Sequence, residues 1–199
     1  MTTERAQALA DSAFPYVDAT KQECITDEQA QFFRDNGLLV VRNFLQGDEL
    51  RAMQEQTGVL IELAEEGLEL PEFTHPDFFY QPHQLTGERT PFRVEYVIAK
   101  TEAGKSLLGH PFLLKSVEKL QGKNFIPTWD SMVFKRAGLG AAIPWHRDAG
   151  TDFTQEETYP IFNVDFYLDS ADLSNCLWGI PGSNKWAPAE AQQKINELN

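Results

Sequence analysis

The residues best placed to do chemistry together stand in one short run, Ile143-Pro144-Trp145-His146-Arg147-Asp148. In an extended chain, residues two apart project to the same side, so His146 and Asp148 aim an imidazole nitrogen and a carboxylate at one point. These are two of the three donors in the facial triad that holds non-haem Fe(II) and leaves positions open for O2 and other ligands. The triplet is short, and a plain structural reading stands beside this one: His146 hydrogen-bonds locally and Asp148 caps a turn before Gly150. The other histidines, His75, His83 and His110, all come earlier in the chain. His83 lies in a proline-rich stretch, where a histidine is more often solvated than functional, and His110 is expected to cap or pack at the helix entry marked by Pro111.

Elements that could hold such a pair are visible along the chain. Thr26-Asp27-Glu28-Gln29 has the capping-box pattern, which predicts a helix to Asn36 that stops at Gly37. A weak helix is expected over residues 3–13. Leu38–Val41 suits a buried strand, and apolar spacing from Asp48 predicts a long helix closed by Gly67. Residues 68–91, with Pro71, Pro76, Pro82, Pro91 and the cluster Phe78-Phe79-Tyr80, read as a long loop that could act as a lid. Alternation from Phe92 to Ile98 predicts a strand, and Pro111 opens a short helix with Gly122 after its end. Strands are then expected over 125–136, 143–148, 161–168 and 175–180, a turn at Pro181-Gly182-Ser183-Asn184, and a helix over 188–197. Helices first and strands after indicate an α+β fold, or a β-sandwich with helices on one side.

Composition bounds the setting. The 199 residues are enough for one domain with its own core. A formal charge of −13, with no local basic patch, argues against nucleic acid and against an anionic membrane surface. No apolar run is long enough to span a bilayer. The N-terminus is too polar for a signal peptide. Two distant cysteines, Cys24 and Cys176, are not a disulfide framework, and a cytoplasmic location is expected. Cys176 reads as inert packing on a buried strand. The four tryptophans, Trp129, Trp145, Trp178 and Trp186, suit either a substrate pocket or the core.

Ser131-Met132-Val133-Phe134-Lys135-Arg136-Ala137-Gly138, followed by Pro144-Trp145-His146-Arg147-Asp148, resembles the metal-site region of the phytanoyl-CoA dioxygenase-like family. Asn163-Val164-Asp165-Phe166-Tyr167-Leu168-Asp169 and then Asn175-Cys176-Leu177-Trp178-Gly179-Ile180-Pro181-Gly182-Ser183-Asn184-Lys185-Trp186 resemble its strand and its N-G-C-L…P-G-S-H-K turn. Phe33–Leu50 resembles the family's opening helix and strand, and His110–Gly122 the helix before the metal strand. The resemblance implies a double-stranded β-helix (jelly roll) with N-terminal helices packed on one sheet. It also implies an Fe(II)- and 2-oxoglutarate-dependent dioxygenase that uses O2 to hydroxylate a small organic molecule. His146 and Asp148 would be the iron ligands. Met132 matches a position lining the cosubstrate pocket, Arg93 lies on a strand that could reach the same pocket, and Lys135 or Arg136 could pair with a cosubstrate carboxylate or form a surface salt bridge. The retained Asp148 favours hydroxylation over halogenation.

The family's second histidine, and the arginine that anchors 2-oxoglutarate, lie beyond the P-G-S turn, and the chain reaches Asn199 before either position. Asn184 stands where the family turn has histidine. The expected organisation is therefore an N-terminal extension, residues 1–25, and a single phytanoyl-CoA dioxygenase-like domain, residues 26–199, that lacks its last strands. Such a chain is either the front of a longer oxygenase or an inactive or truncated jelly-roll binding module, and its open sheet edge could pair with another copy. A cupin-like or zinc-dependent hydrolase using His146 and Asp148 with other ligands is a further reading. The substrate is not legible.

Overall fold

The helix promised by the capping box forms as expected. Thr26 Oγ1 accepts the Gln29 amide at 3.2 Å, and the Gln29 carboxamide oxygen accepts the Thr26 amide at 2.8 Å. The structure, a computed structural model, describes residues 15–69, 76–83, 85–135, 143–148, 161–172 and 175–199. The helix expected over 3–13, His75, Arg136 and Gly150 lie outside the described residues.

In chain order the elements are β1 (Tyr16–Asp18), α1 (Asp27–Asn36), β2 (Val40–Arg42), α2 (Gly47–Glu66), β3 (Phe78–Pro82), β4 (Arg89–Glu95), α3 (Val97–Lys100), α4 (Glu102–Leu108), α5 (Pro111–Gln121), β5 (Ser131–Val133), a 3-10 turn (Ser183–Lys185) and α6 (Pro188–Leu198). The fold is mixed α/β. The described residues group into two compact units, one within Met1–Phe44, Lys115–Asn124 and Pro144–Asn199, the other within Leu45–Leu114 and Phe125–Ile143.

In the first unit β1 pairs parallel with β2, and α1 is the crossover that parallel strands require. Residues 15–25, part of the expected N-terminal extension, thus supply a strand, and Val17 and Ile25 are buried. Helix α5 is tied to this segment: Ser116 Oγ accepts the Ile25 amide at 3.2 Å, while Lys115 pairs with Glu23 at 2.7 Å and Lys119 with Asp27 at 2.9 Å. The far end of α1 is closed by the Pro181–Asn184 turn. Gly182 N–H donates to the Asn36 carbonyl at 2.8 Å, Asn184 Nδ2 to the Arg34 carbonyl at 3.0 Å, and Lys185 pairs with Asp35 at 2.9 Å. Carbonyls left over at a helix end are satisfied here by a distant turn.

Gly37 makes that docking possible. It sits at φ 78°, and a Cβ there would lie 2.9 Å from Asn184. Gly37→Ala is expected to cost about 2–3 kcal/mol, from the left-handed backbone and the displaced Asn184 hydrogen bond together. Urea unfolding of the variant beside Asn184→Ala, which loses only the hydrogen bond, checks this.

In the second unit β3, β4 and β5 form an antiparallel sheet, and one of its faces packs on α2. Leu60 and Ala64 from the helix meet Phe78, Val94, Val97 and Phe134, with Ile61, Tyr80 and Met132 at the margin. Tyr80 Oη donates to the Ala64 carbonyl at 2.9 Å, and Arg89 donates to the Gly67 carbonyl at 3.0 Å.

Several expectations are corrected. The loop read over 68–91 contains all of β3 and the start of β4, because its prolines fall where strands tolerate them: Pro82 ends β3, and at Pro91 the pairing follows a register shift. The strand expected to Ile98 ends at Glu95, since Tyr96 turns left-handed at φ 58° and opens α3. The strand over 125–136 shrinks to β5. Residues 143–148, 161–168 and 175–180 carry no strand among the described residues. Alternation marks a two-faced segment, but a strand also needs a neighbour to bond. The two-faced character is present in 161–168: Phe162 stacks edge-on to Phe33 at 5.3 Å and Phe166 packs on Phe44 at 5.5 Å, while Ile161, Asp165 and Tyr167 are exposed.

Candidate metal centre

Pro144 begins the decisive geometry. It has no amide proton, and its carbonyl accepts from His146 Nδ1 at 2.9 Å. Nδ1 is the donor there, since a carbonyl only accepts, and Nε2 faces Asp148 Oδ1 at 3.4 Å. Both side chains are about half exposed, 53% and 52%. The imidazole and the acid therefore converge, as the spacing predicts. Two donors held about 2.1 Å from one ion at right angles stand about 3 Å apart, so this pair fits adjacent positions on a divalent metal. A metal-binding histidine usually donates its other nitrogen to a carbonyl or carboxylate, which fixes its tautomer and direction. The Pro144 carbonyl does that here. Among the described residues, no group of three or more His, Cys, Asp or Glu is arranged to hold a metal ion.

A second acid lies within reach of the Asp148 charge. Asp165, on the outer side of the 161–168 segment, has its carboxyl pushed above the ordinary aspartate value by desolvation, and further by the negative charge of Asp148. A raised carboxyl makes the folded state hold its proton more tightly than the unfolded chain does. Stability from this group is therefore present below 3.8 and falls as pH rises through the raised folded value. Asp165→Asn is expected to melt about 1–2 °C above the parent at neutral pH without added metal, the difference vanishing near pH 4. The shift is small because the side chain reaches solvent. Thermal melts of both chains across pH 4–7 read it.

Arg93, Met132 and Lys135 belong to the other unit. Register places Arg93 opposite Val133 and Val94 opposite Met132, so Arg93 and Met132 lie on opposite faces of the sheet. Met132 packs against the α2-covered core. Arg93 stands on the opposite face with its guanidinium 4.8 Å from the Phe79 ring and 5.2 Å from Trp129, and Nη2 donates to Glu95 at 2.7 Å. Arg93 Nε is buried with no hydrogen-bond partner. Lys135 is exposed.

The remaining candidates settle into structural roles. His83 is corrected from solvated to buried, 7% exposed, with Nδ1 accepting the Thr86 amide at 3.2 Å. His110 caps α5, its Nδ1 accepting the Phe112 amide at 3.2 Å. Cys176 is half-buried and on no strand, and Trp129 and Trp178 are exposed rather than core residues.

Residues 33–198 match the family model described as phytanoyl-CoA dioxygenase (PhyH). The chain belongs to the phytanoyl-CoA dioxygenase family. Among curated relatives, it is 25% identical over 198 residues to "Phytanoyl-CoA dioxygenase domain-containing protein 1" of Danio rerio, covering 81% of this chain and 66% of that protein. It is 25% identical to "Phytanoyl-CoA dioxygenase 1" of Oryza sativa subsp. japonica, with 81% and 66% covered. It is 21% identical to "Dioxygenase cdmD" of Talaromyces verruculosus, with 78% and 55% covered. The matched region thus spans at most about two thirds of each of these relatives. Sequence reading missed Asp165 beside the converging pair, recoverable from its place between Phe162 and Phe166, and separately missed Glu95 as the partner of Arg93, recoverable from their i, i+2 spacing.

Proposed function

We propose that this chain carries the metal-binding segment of an Fe(II)- and 2-oxoglutarate-dependent dioxygenase that hydroxylates a small organic molecule. The observation that carries the reading is the approach of His146 Nε2 to Asp148 Oδ1, with Nδ1 already committed to Pro144. Family membership supports the reaction class. When bound, iron and 2-oxoglutarate together would supply the O2 activation needed to oxidise an unactivated C–H bond. His146 would offer a neutral nitrogen and Asp148 a charge that offsets half of the ion's. Arg93 is the proposed partner of a cosubstrate carboxylate, because a buried guanidinium nitrogen without a partner is costly until an acceptor reaches it. Lys135 is proposed as a second positive group. Met132, partly buried at the margin of the core, is proposed from the resemblance to line the cosubstrate pocket. The jelly roll, the small-molecule substrate and the cytoplasmic setting belong to the same proposal.

The test is oxygen uptake and succinate formation by the protein expressed from its gene, given Fe(II) and 2-oxoglutarate under reducing conditions. Succinate that requires both additions and disappears in Asp148→Ala supports the reading. No succinate in the parent under any of these conditions leaves a binding module. Arg93→Gln is expected to raise the KM for 2-oxoglutarate about 10-fold or more with kcat little changed, the mark of a binding contact.

A further inference from the structure

The segment bearing His146 and Asp148 has no strand neighbour among the described residues, yet both peptide groups of Trp145 are bonded. Its N–H donates to Asn199 Oδ1 at 2.8 Å, and its carbonyl accepts from Asn199 Nδ2 at 3.0 Å. An antiparallel strand would supply the same pair of bonds, one accepted and one donated. Here one side-chain carboxamide supplies both. Asn199 is itself held, since its backbone N–H donates to the Ile195 carbonyl at 3.1 Å at the end of α6. The Pro144 carbonyl is already taken by His146 Nδ1. Packing adds little, because His146 and Asp148 are exposed and Trp145 is only half-buried.

We propose that Asn199 is a positioning residue for the His146–Asp148 pair. By fixing the peptides on both sides of the Trp145 Cα, it sets the direction in which His146 leaves the backbone. Without it, rotation about the Trp145 backbone swings the imidazole away from Asp148. The end of α6 is thereby linked to the site, so a displacement of that helix moves the pair. The functional meaning of this placement rests on the metal-site reading, but the placement can be measured without metal.

Three measurements on the parent, Asn199→Ala and Asn199→Asp decide it: hydrogen exchange at the Trp145 amide, the His146 ring resonances at fixed pH, and Mn(II) affinity by calorimetry. In Asn199→Ala, exchange at Trp145 is expected to quicken about 10-fold or more. The His146 resonances should shift and Mn(II) affinity should fall about 10-fold. Asn199→Asp keeps the acceptor and loses the donor, so it should fall between, and it decides the matter should the alanine variant fail to fold. Unchanged His146 resonances in the variants, even with faster Trp145 exchange, overturn the proposal and leave Asn199 a helix end. A parent that binds Mn(II) no better than His146→Ala overturns the dioxygenase reading instead, while the His146 resonances still decide the role of Asn199.

Discussion

Mn(II) binding to His146→Ala is expected to weaken by about 100-fold or more, a loss of about 2.7 kcal/mol, because a ligand should matter at least as much as the groups that support one. The same substitution should leave the metal-free melting temperature nearly unchanged. His146 is about half exposed, and its contact with Asp148 is 3.4 Å, so as a surface pair it contributes at most about 1 kcal/mol. The other described histidines provide the contrast. His110→Ala removes the acceptor for the Phe112 amide at the start of α5 and should cost about 1 kcal/mol of stability with no change in Mn(II) affinity. His83→Ala should likewise act on stability alone, since the ring is buried under the Thr86 turn. Calorimetric titration and thermal melts on the three variants therefore separate a metal ligand from two structural histidines. Equal Mn(II) affinity in His146→Ala and the parent would reduce His146 and Asp148 to a surface contact.

Local signals were legible in the sequence wherever a short stretch contains its own reason. The box at Thr26 and Gln29, the stop at Gly37, the cap at His110 and the convergence of His146 with Asp148 all depend on residues within four positions of one another. What the sequence concealed depends on partners far away. Residues 161–168 read as a strand, although the segment turns Phe162 and Phe166 inward and Asp165 outward without providing a neighbour to bond. Asn184, noted only as a departure from the family's turn, closes α1 through the Arg34 carbonyl, a contact 150 positions distant. Arg93 and Met132 look equally available to one pocket in the sequence. Only the pairing of Val94 with Met132 reveals that they face opposite ways. Asn199 gave no signal at all, since a polar residue after a helix has many uses.

The sharpest conflict between the two levels concerns Phe78, and its replacement is expected to have the largest effect on stability. In a lid, an aromatic residue amid prolines would be half-solvated, and Phe78→Ala would change stability by about 0.5 kcal/mol or less. In the structure Phe78 pairs with Val94 across β3 and β4 and lies in the cluster with Leu60, Ala64, Val97 and Phe134, only 9% exposed. Truncation there removes a buried ring and leaves a cavity against α2, whose cost is about 3–5 kcal/mol. That is a large share of the roughly 5–15 kcal/mol that holds a typical domain folded. Phe79, its neighbour on the opposite face, provides the internal control. It is 37% exposed and touches the Arg93 guanidinium, so Phe79→Ala should cost about 1 kcal/mol. Urea midpoints for the two alanine variants should therefore differ several-fold in their shifts, with Phe78 the larger. Similar small shifts for both would return residues 76–83 to the loop that their prolines suggest and remove the strand that sets the register of Arg93.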